Sequence, residues 1–351
     1  MAEHSATDDP HRFDKDVLGP WLAARIAGFG RLERIRKFGT GQSNPTYLLE
    51  ATGGRYVLRA KPPGRLLRSA HQVDREFRVM QALAATDVPV PKVHLLAGEA
   101  ESPIGRMFFV MDHVPGRIFW DPALPDLAPG ERGAIYDAMN ATLAALHDVD
   151  VAAVGLADFG RPGNYFARQT RRWSDQYRAS ALAPDPRMER LMAWLADHLP
   201  EDDGQIALVH GDWRLDNMIF APAAPEVAAV IDWELSTLGH PYADLAYQCM
   251  QWRLPHEAGM RGLGGLDRKA LGLPSEEEYV AAYCRRRGIA AIEGWEFYLA
   301  FAFFRLAAIL EGVVRRAHDG NASNPETARR YAEAIPILAE MALDVIERAG
   351  A

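Results

Sequence analysis

The chain has 351 residues, 48% of them hydrophobic and 25% charged, an ordinary globular composition with enough length for two lobes around one cleft. Two cysteines, Cys249 and Cys284, are too few for a disulfide framework and lack the paired spacing of a zinc site, which points to a reducing, cytoplasmic compartment. The net charge of −8 is uneven, because residues 31–80 hold eleven Lys and Arg against four Asp and Glu. That local excess suits a polyanionic ligand near the N-terminal region better than a nucleic-acid partner, although a solvated charged face would give the same count.

Residues 1–13 are polar and acidic where a secretory leader would be basic and then apolar, so a flexible tail is expected. Residues 14–28 have helical periodicity, and 37–50 and 55–60 alternate as strands of a hairpin around Gly53-Gly54. Residues 71–85 return to helical spacing, with Val73, Phe77, Met80 and Ala84 on one face, until Pro89 and Pro91 end it. Met107 to Met111 is a short apolar strand closed by Pro115-Gly116. Helical patterns then dominate over 131–147, 164–179, 188–198, 276–287, 295–317 and 325–349, interrupted by β-like segments at 206–209 and 227–231. The apolar run from Trp295 to Val314 carries Glu296, Arg305 and Glu311, which a bilayer would penalise, so it reads as a buried helix and no membrane partner is expected. The order is that of an α+β protein: a β-rich N-terminal lobe over 14–114 and a helical C-terminal lobe over 115–351, without internal repeats.

The strongest chemical signal is His210-Gly211-Asp212-Trp213-Arg214-Leu215-Asp216-Asn217, an H-x-D-x-x-x-x-N string directly after the apolar segment 206–209. It resembles a kinase catalytic loop, in which a carboxylate orients the acceptor hydroxyl and takes its proton. Asp212 suits that task and Asn217 suits a metal. Twenty residues on, the apolar segment 227–231 delivers Asp232. A hairpin of these two segments would bring Asp212, Asn217 and Asp232 to one end as an oxygen-rich Mg²⁺ site. Asp158-Phe159-Gly160 spells the metal motif of protein kinases but precedes the catalytic loop and follows no strand, so it reads as a turn.

On the N-terminal side, Phe38-Gly39-Thr40-Gly41-Gln42-Ser43-Asn44-Pro45 lies between strand patterns, with small residues that let backbone amides approach phosphates. It is not a Walker loop. Arg59 and Lys61 share one face of the next strand, and either could reach phosphate. Glu76 follows on a helix, where it could hold such a cation in place.

In this order the motifs resemble the aminoglycoside phosphotransferase family, a branch of the protein-kinase-like bilobal fold, over residues 30–320. The carriers are the glycine-containing loop with Gly39, Gly41, Ser43 and Asn44, then VLRAKPPG, Val73-Asp74-Arg75-Glu76, Val88-Pro89-Val90-Pro91, HGDWRLDN, and IDWE followed by Asp244-Leu245-Ala246. The resemblance implies ATP and Mg²⁺ as cofactors, Asp212 as base, and Asn217 and Asp232 as metal ligands. It implies that Asp112 and Val114 give backbone hydrogen bonds to adenine. It favours Arg59 over Lys61 as the phosphate-contacting cation, although protein kinases use lysine there.

GQSNPTY, AKPPG, AHQVDREF and DWELSTLGHPYADLAY are similar to the subgroup associated with acyl-CoA dehydrogenases, which implies a hydroxyacyl-CoA acceptor and a separate acyl-CoA dehydrogenase as partner. The clusters Arg65/Arg68 and Arg168/Arg171/Arg172 suit the phosphates of coenzyme A. The competing readings are an aminoglycoside kinase, which residues 115–351 with their charge of −11 would suit, and a nucleotide-binding pseudokinase. Three residues are expected to be structural: Asp244 anchoring the catalytic loop, His147 capping a helix C-terminus, and His210 orienting the loop from the core. Tyr165, Arg168, Gln169, Trp173 and Tyr177 recur at helical spacing, either as pocket lining or as a packed face.

Overall fold

In the computed structural model the described residues are 13–39, 44–63, 72–256, 262–319 and 325–349, and the chain forms two compact units. The first contains the chain up to Gly116 together with Ala228–Glu234, and the second contains Arg117–Val227 and Leu235–Ala351. The division thus falls slightly beyond the expected residue 114, and the segment carrying Asp232 joins the N-terminal unit instead of the C-terminal one. Its bonds explain that membership. Val230 N donates to Pro89 O at 2.8 Å, and the Asp232 carboxylate pairs with Arg59. The expected tail lies outside the described residues up to Phe13.

The first unit holds helix α1 (Lys15–Ala23), strands β1 (Leu32–Lys37), β2 (Thr46–Ala51) and β3 (Gly54–Ala60), helix α2 (Val73–Leu83), and strands β4 (Val93–Ala97) and β5 (Phe108–Asp112). The strands form one antiparallel sheet in the order β1-β2-β3-β5-β4. The β2–β3 hairpin turns where expected, and it needs glycine: a Cβ on Gly53 would sit 1.7 Å from Gly28 O. Strand alternation sends Tyr56, Leu58 and Ala60 into a core with Tyr47, Leu49, Leu18 and Leu22. Val57 and Arg59 therefore point to the other face. There α2 buries Val73, Glu76, Val79, Met80 and Leu83, with Phe77 against Phe109 at 6.2 Å between rings. The sheet period and the helix period together bring Arg59 to Glu76.

The second unit is mainly helical: α3 (Pro129–His147), α4 (Tyr165–Ser180), α5 (Pro186–Asp197), α6 (Tyr242–Cys249), α7 (Arg268–Leu271), α8 (Glu276–Arg287), α9 (Trp295–His318) and α10 (Pro325–Ala349). The apolar run in α9 packs inside this unit against α4, α5, α6 and α10, burying Phe301, Phe303 and Phe304. Its charges are used there. Arg305 Nη2 donates to Gly211 O at 2.7 Å, and Glu311 accepts from Leu182 N at 3.4 Å.

Short strands β6 (Ala207–Val209), β7 (Met218–Phe220), β8 (Val227–Val230) and β9 (Thr237–Gly239) complete the chain. The expected hairpin between 206–209 and 227–231 does not form, because β6 pairs antiparallel with β9, Val209 opposite Thr237. The chain between them passes first through a 3-10 turn at Leu215–Asn217, then β7, then a turn closed by Ala221 N to Glu226 O at 2.8 Å. The partner of β6 therefore comes from beyond Asp232.

Candidate active site

In the second unit the catalytic-loop string is held by α6. Asp244, 1% exposed, accepts from His210 N at 2.6 Å and Gly211 N at 2.8 Å. Burial alone would raise its pKa, but His147, His210 and the Gly211 amide outweigh that and hold the carboxyl below its usual range. Gly211 has φ of 83°, and a Cβ there would lie 2.6 Å from Leu235 O, so the loop can turn here only on glycine. His210, fully buried, accepts from Asp212 N at 3.2 Å through Nδ1.

Asp212 is half-buried and both its carboxylate oxygens are engaged. Tyr247 OH donates to Oδ1 at 2.8 Å, and Asn217 Nδ2 donates to Oδ2 and to the Asp212 carbonyl, each at 2.9 Å. With its amide nitrogen so committed, Asn217 can offer a metal its Oδ1. Beside this loop lies a cavity of about 550 Å³ lined by Trp213, Arg214, Asp216, Tyr247, Phe119 and Trp120, with Leu254, Leu306, Leu310 and Tyr331 among its apolar walls. Arg214 and Asp216 neutralise each other, Nε to Oδ1 at 2.6 Å.

In the first unit Arg59, Glu76, Asp232 and Asn44 come together. Arg59 Nε lies 2.8 Å from Glu76 Oε2, and Arg59 Nη2 pairs with Asp232 Oδ1. Asn44 Nδ2 donates to Glu76 Oε1 at 2.8 Å and to Glu234 Oε2 at 3.2 Å, and Glu234 also approaches Arg59 at 3.9 Å. Burial opposes the Arg59 charge, but the surrounding carboxylates outweigh it and raise its pKa. Burial pushes the Glu76 carboxyl up to about 8, against the pull of Arg59. The N–H donors aimed at its oxygens pull the other way without overcoming burial. Asp232 sits in the left-handed region, φ 67°, a conformation that Asp tolerates better than most residues and that costs on the order of 1–3 kcal/mol.

Lys61 follows the end of β3, its amide on Met107 O at 2.9 Å. Gly39 lies in the bend after β1, whereas Gly41 and Ser43 lie outside the described residues. Asp112 ends β5 with its amide on Lys92 O at 2.8 Å and its carboxylate 2.6 Å from His94 Nε2. Val114 is half-buried two residues on.

Two neighbours went unread in the sequence. Glu234 had a signal, a second acid two residues after Asp232, and Tyr247 had one in its place three residues after Asp244, on the same helix face. His147 does not cap α3, whose C-cap is Asp148. It is buried, with Nδ1 2.7 Å from Tyr283 OH and Nε2 3.5 Å from Asp244. Asp158-Phe159-Gly160 forms a turn. Of the arginines weighed for coenzyme A, Arg168 donates to Arg161 O and Pro162 O, and Arg172 stands over Trp173 at 5.1 Å. Arg65 and Arg68 lie outside the described residues.

The sequence profile of the phosphotransferase enzyme family, APH, matches residues 34–301. The chain belongs to this family. The chain is 49% identical over 96% of its length to acyl-CoA dehydrogenase family member 10 of Mus musculus, of which it covers 31%. It spans less than half the length of the curated relatives it matches. The crystal structure of a Ralstonia eutropha JMP134 protein, provisionally named an aminoglycoside phosphotransferase, superposes with a TM-score of 0.87. That protein is 47% identical, covering 96% of this chain and 99% of the other. A thermostable mutant of aminoglycoside phosphotransferase APH(4)-Ia, in ternary complex with AMP-PNP and hygromycin B, shares the kinase-like fold. Its TM-score is 0.60 at 17% identity, covering 95% of this chain and 99% of that one.

Two outcomes are expected of the loop anchor. Asp244→Asn removes one acceptor from two buried amides, so the chain should lose about 1–3 kcal/mol of stability in urea melts. Acidification should act through His147, which burial holds below its ordinary 6.5 despite Asp244. The unfolded chain takes up that proton first, so stability is complete above pH 6.5 and falls below it, with a limiting slope of about 1.4 kcal/mol per pH unit. His147→Gln should flatten the fall between pH 6.5 and 5. An unchanged slope would remove His147 from the account.

Proposed function

We propose that the phosphotransferase moves the terminal phosphate of ATP, with Mg²⁺, onto a hydroxyl of a small molecule with an apolar body, with a hydroxyacyl-CoA as the leading candidate. The observation that carries the acceptor class is the cavity beside Asp212: its walls are aromatic and aliphatic, and its one cation and one anion are paired with each other. Such a lining suits an acyl chain and, among the described residues that line it, offers a polycation no unpaired carboxylate. The kinship with an acyl-CoA dehydrogenase family member points the same way.

In this reading Asp212 accepts the proton of the acceptor hydroxyl as the oxygen attacks the γ-phosphorus, and ADP leaves as the P–O bond breaks. Asn217 and Asp232 are hard oxygen donors of the kind Mg²⁺ takes beside nucleotide phosphates, and bound Mg²⁺ would neutralise the charge developing on them. Arg59, fixed by Glu76, is the cation for phosphate. The glycine loop with Gly39, Gly41, Ser43 and Asn44 would supply backbone amides, and the Asp112 carbonyl and Val114 amide would meet adenine.

Asp212→Asn should leave nucleotide binding nearly intact and lower turnover by more than about tenfold, measured by coupled ADP release. Asp232→Ala should instead raise the Mg²⁺ requirement, and an unchanged Mg²⁺ dependence would remove it from the metal site. Arg59→Ala should weaken nucleotide binding roughly ten- to a hundredfold, as loss of a charge-assisted contact implies, and more than Lys61→Ala does. For the acceptor, a 4-hydroxyacyl-CoA should be phosphorylated and kanamycin poorly so. Strong kanamycin turnover with no response to acyl-CoA would overturn the acceptor class alone.

A further inference from the structure

The catalytic base of a small-molecule kinase must be aimed as well as ionised, since transfer requires the acceptor hydroxyl in line with the phosphorus. Asp212 projects from a loop whose backbone is fixed at His210 and Gly211 by Asp244. Its side chain is fixed from two sides, by Asn217 at Oδ2 and Tyr247 at Oδ1. Asn217 belongs to the same loop. Tyr247 does not: it stands on α6, one helical turn after Asp244, and lines the cavity beside the loop.

We infer that Tyr247 is a positioning residue, whose phenol sets the direction of the Asp212 carboxylate toward an alcohol held in the adjoining cavity. This inference rests on the proposed phosphoryl transfer. Three observations support it. The phenol is a committed donor: it is buried, its O–H is directed at Asp212 Oδ1 at 2.8 Å, and burial together with that carboxylate raises its pKa far above neutrality. The ring is clamped, because the Arg305 guanidinium lies 5.5 Å from its centroid while Nη2 of the same arginine bonds Gly211 O at 2.7 Å. Tyr247 and the loop are thus tied to the same points on α6 and α9. Finally, Tyr247 bounds the cavity with Trp213 and Asp216, so the group that orients the base also forms part of the wall an acceptor would touch.

A carboxylate oxygen has two acceptor sites. With the phenol on one, Oδ1 presents the other in a fixed direction, available to an incoming hydroxyl. Without the phenol, Asp212 keeps Asn217 alone and can turn about its Cβ–Cγ bond. Removing the O–H should therefore cost turnover without costing nucleotide affinity, while removing the ring should also cost acceptor affinity.

The test compares Tyr247→Phe, Tyr247→Leu and Asp212→Asn with the unmodified chain. It reads kcat and KM with MgATP and a 4-hydroxyacyl-CoA, slow MgATP hydrolysis without acceptor, and thermal midpoints. Tyr247→Phe should lower acceptor-dependent kcat by about tenfold or more and acceptor-free hydrolysis by about threefold or more, with KM for ATP within about twofold. Tyr247→Leu should match it in hydrolysis and additionally raise the acceptor KM. Rates within twofold of the unmodified chain in Tyr247→Phe, or losses in the two variants that follow their thermal midpoints instead of the missing O–H, would overturn the inference. Acceptor-free hydrolysis reads the same contact when the hydroxyacyl-CoA proves not to be a substrate. A fully active Asp212→Asn would instead refute the proposed function.

Discussion

A single buried carboxylate sets the geometry of the C-terminal unit. Asp244 lies in the middle of a packed helix bundle, where an ionised acid is costly unless hydrogen bonds replace its water. Two backbone amides of the catalytic loop supply them, at His210 and Gly211. The dependence is mutual: the loop amides need an acceptor as much as the acid needs donors. From this anchor the rest follows in steps of bonded neighbours. His147 and Tyr283 lie behind it, Arg305 closes over Gly211 from α9, and Asp212 is left at the end of a loop with little freedom.

The N-terminal unit solves a different electrostatic problem. Arg59 is 14% exposed at its side chain, and its charge is balanced by Glu76, Asp232 and the more distant Glu234. Three acids crowd one guanidinium, and burial with the acidic neighbours holds the Glu76 carboxyl up to about 8 against the pull of Arg59. In the proposed reading, bound Mg²⁺ and phosphate would give these acids a cation and Arg59 an anion. Asn44, just before β2, donates to both Glu76 and Glu234 and so belongs to the same network of charges.

Much of this was legible in the sequence where a local pattern had a local cause. The β2–β3 hairpin and the long α9 helix follow directly from periods of 2 and 3.6, and the H-x-D string marks the loop. The expected α2 face was right only in part: Val73 and Met80 are buried, but Ala84 is exposed past the helix end, and Glu76, Val79 and Leu83 complete the buried face. Charged edge strands were not legible: β1 reads LERIRK, with charges outward along the sheet edge, and its alternation is masked by the residues that protect such an edge from pairing. The second edge strand, β4, follows two prolines and has only partial burial. Pairing between distant segments was also invisible. Nothing local in 206–209 chooses Thr237–Gly239 over 227–231. Glu234 and Tyr247 escaped for the same reason. Each carries only a faint local signal, its spacing from Asp232 or Asp244, while its bonded partner, Asn44 or Asp212, lies far along the chain.

The left-handed backbone of Asp232 makes that position two constraints in one residue. In the proposed reading a side chain there carries an oxygen ligand for Mg²⁺, and its backbone must accept a conformation in which most residues with a Cβ are strained. Few residue types satisfy both, and asparagine is the nearest relative of aspartate that tolerates the same turn. The position is therefore narrow in chemical space for reasons of shape before charge is considered. Replacing Asp232 by asparagine isolates the charge from the turn, whereas alanine disturbs both.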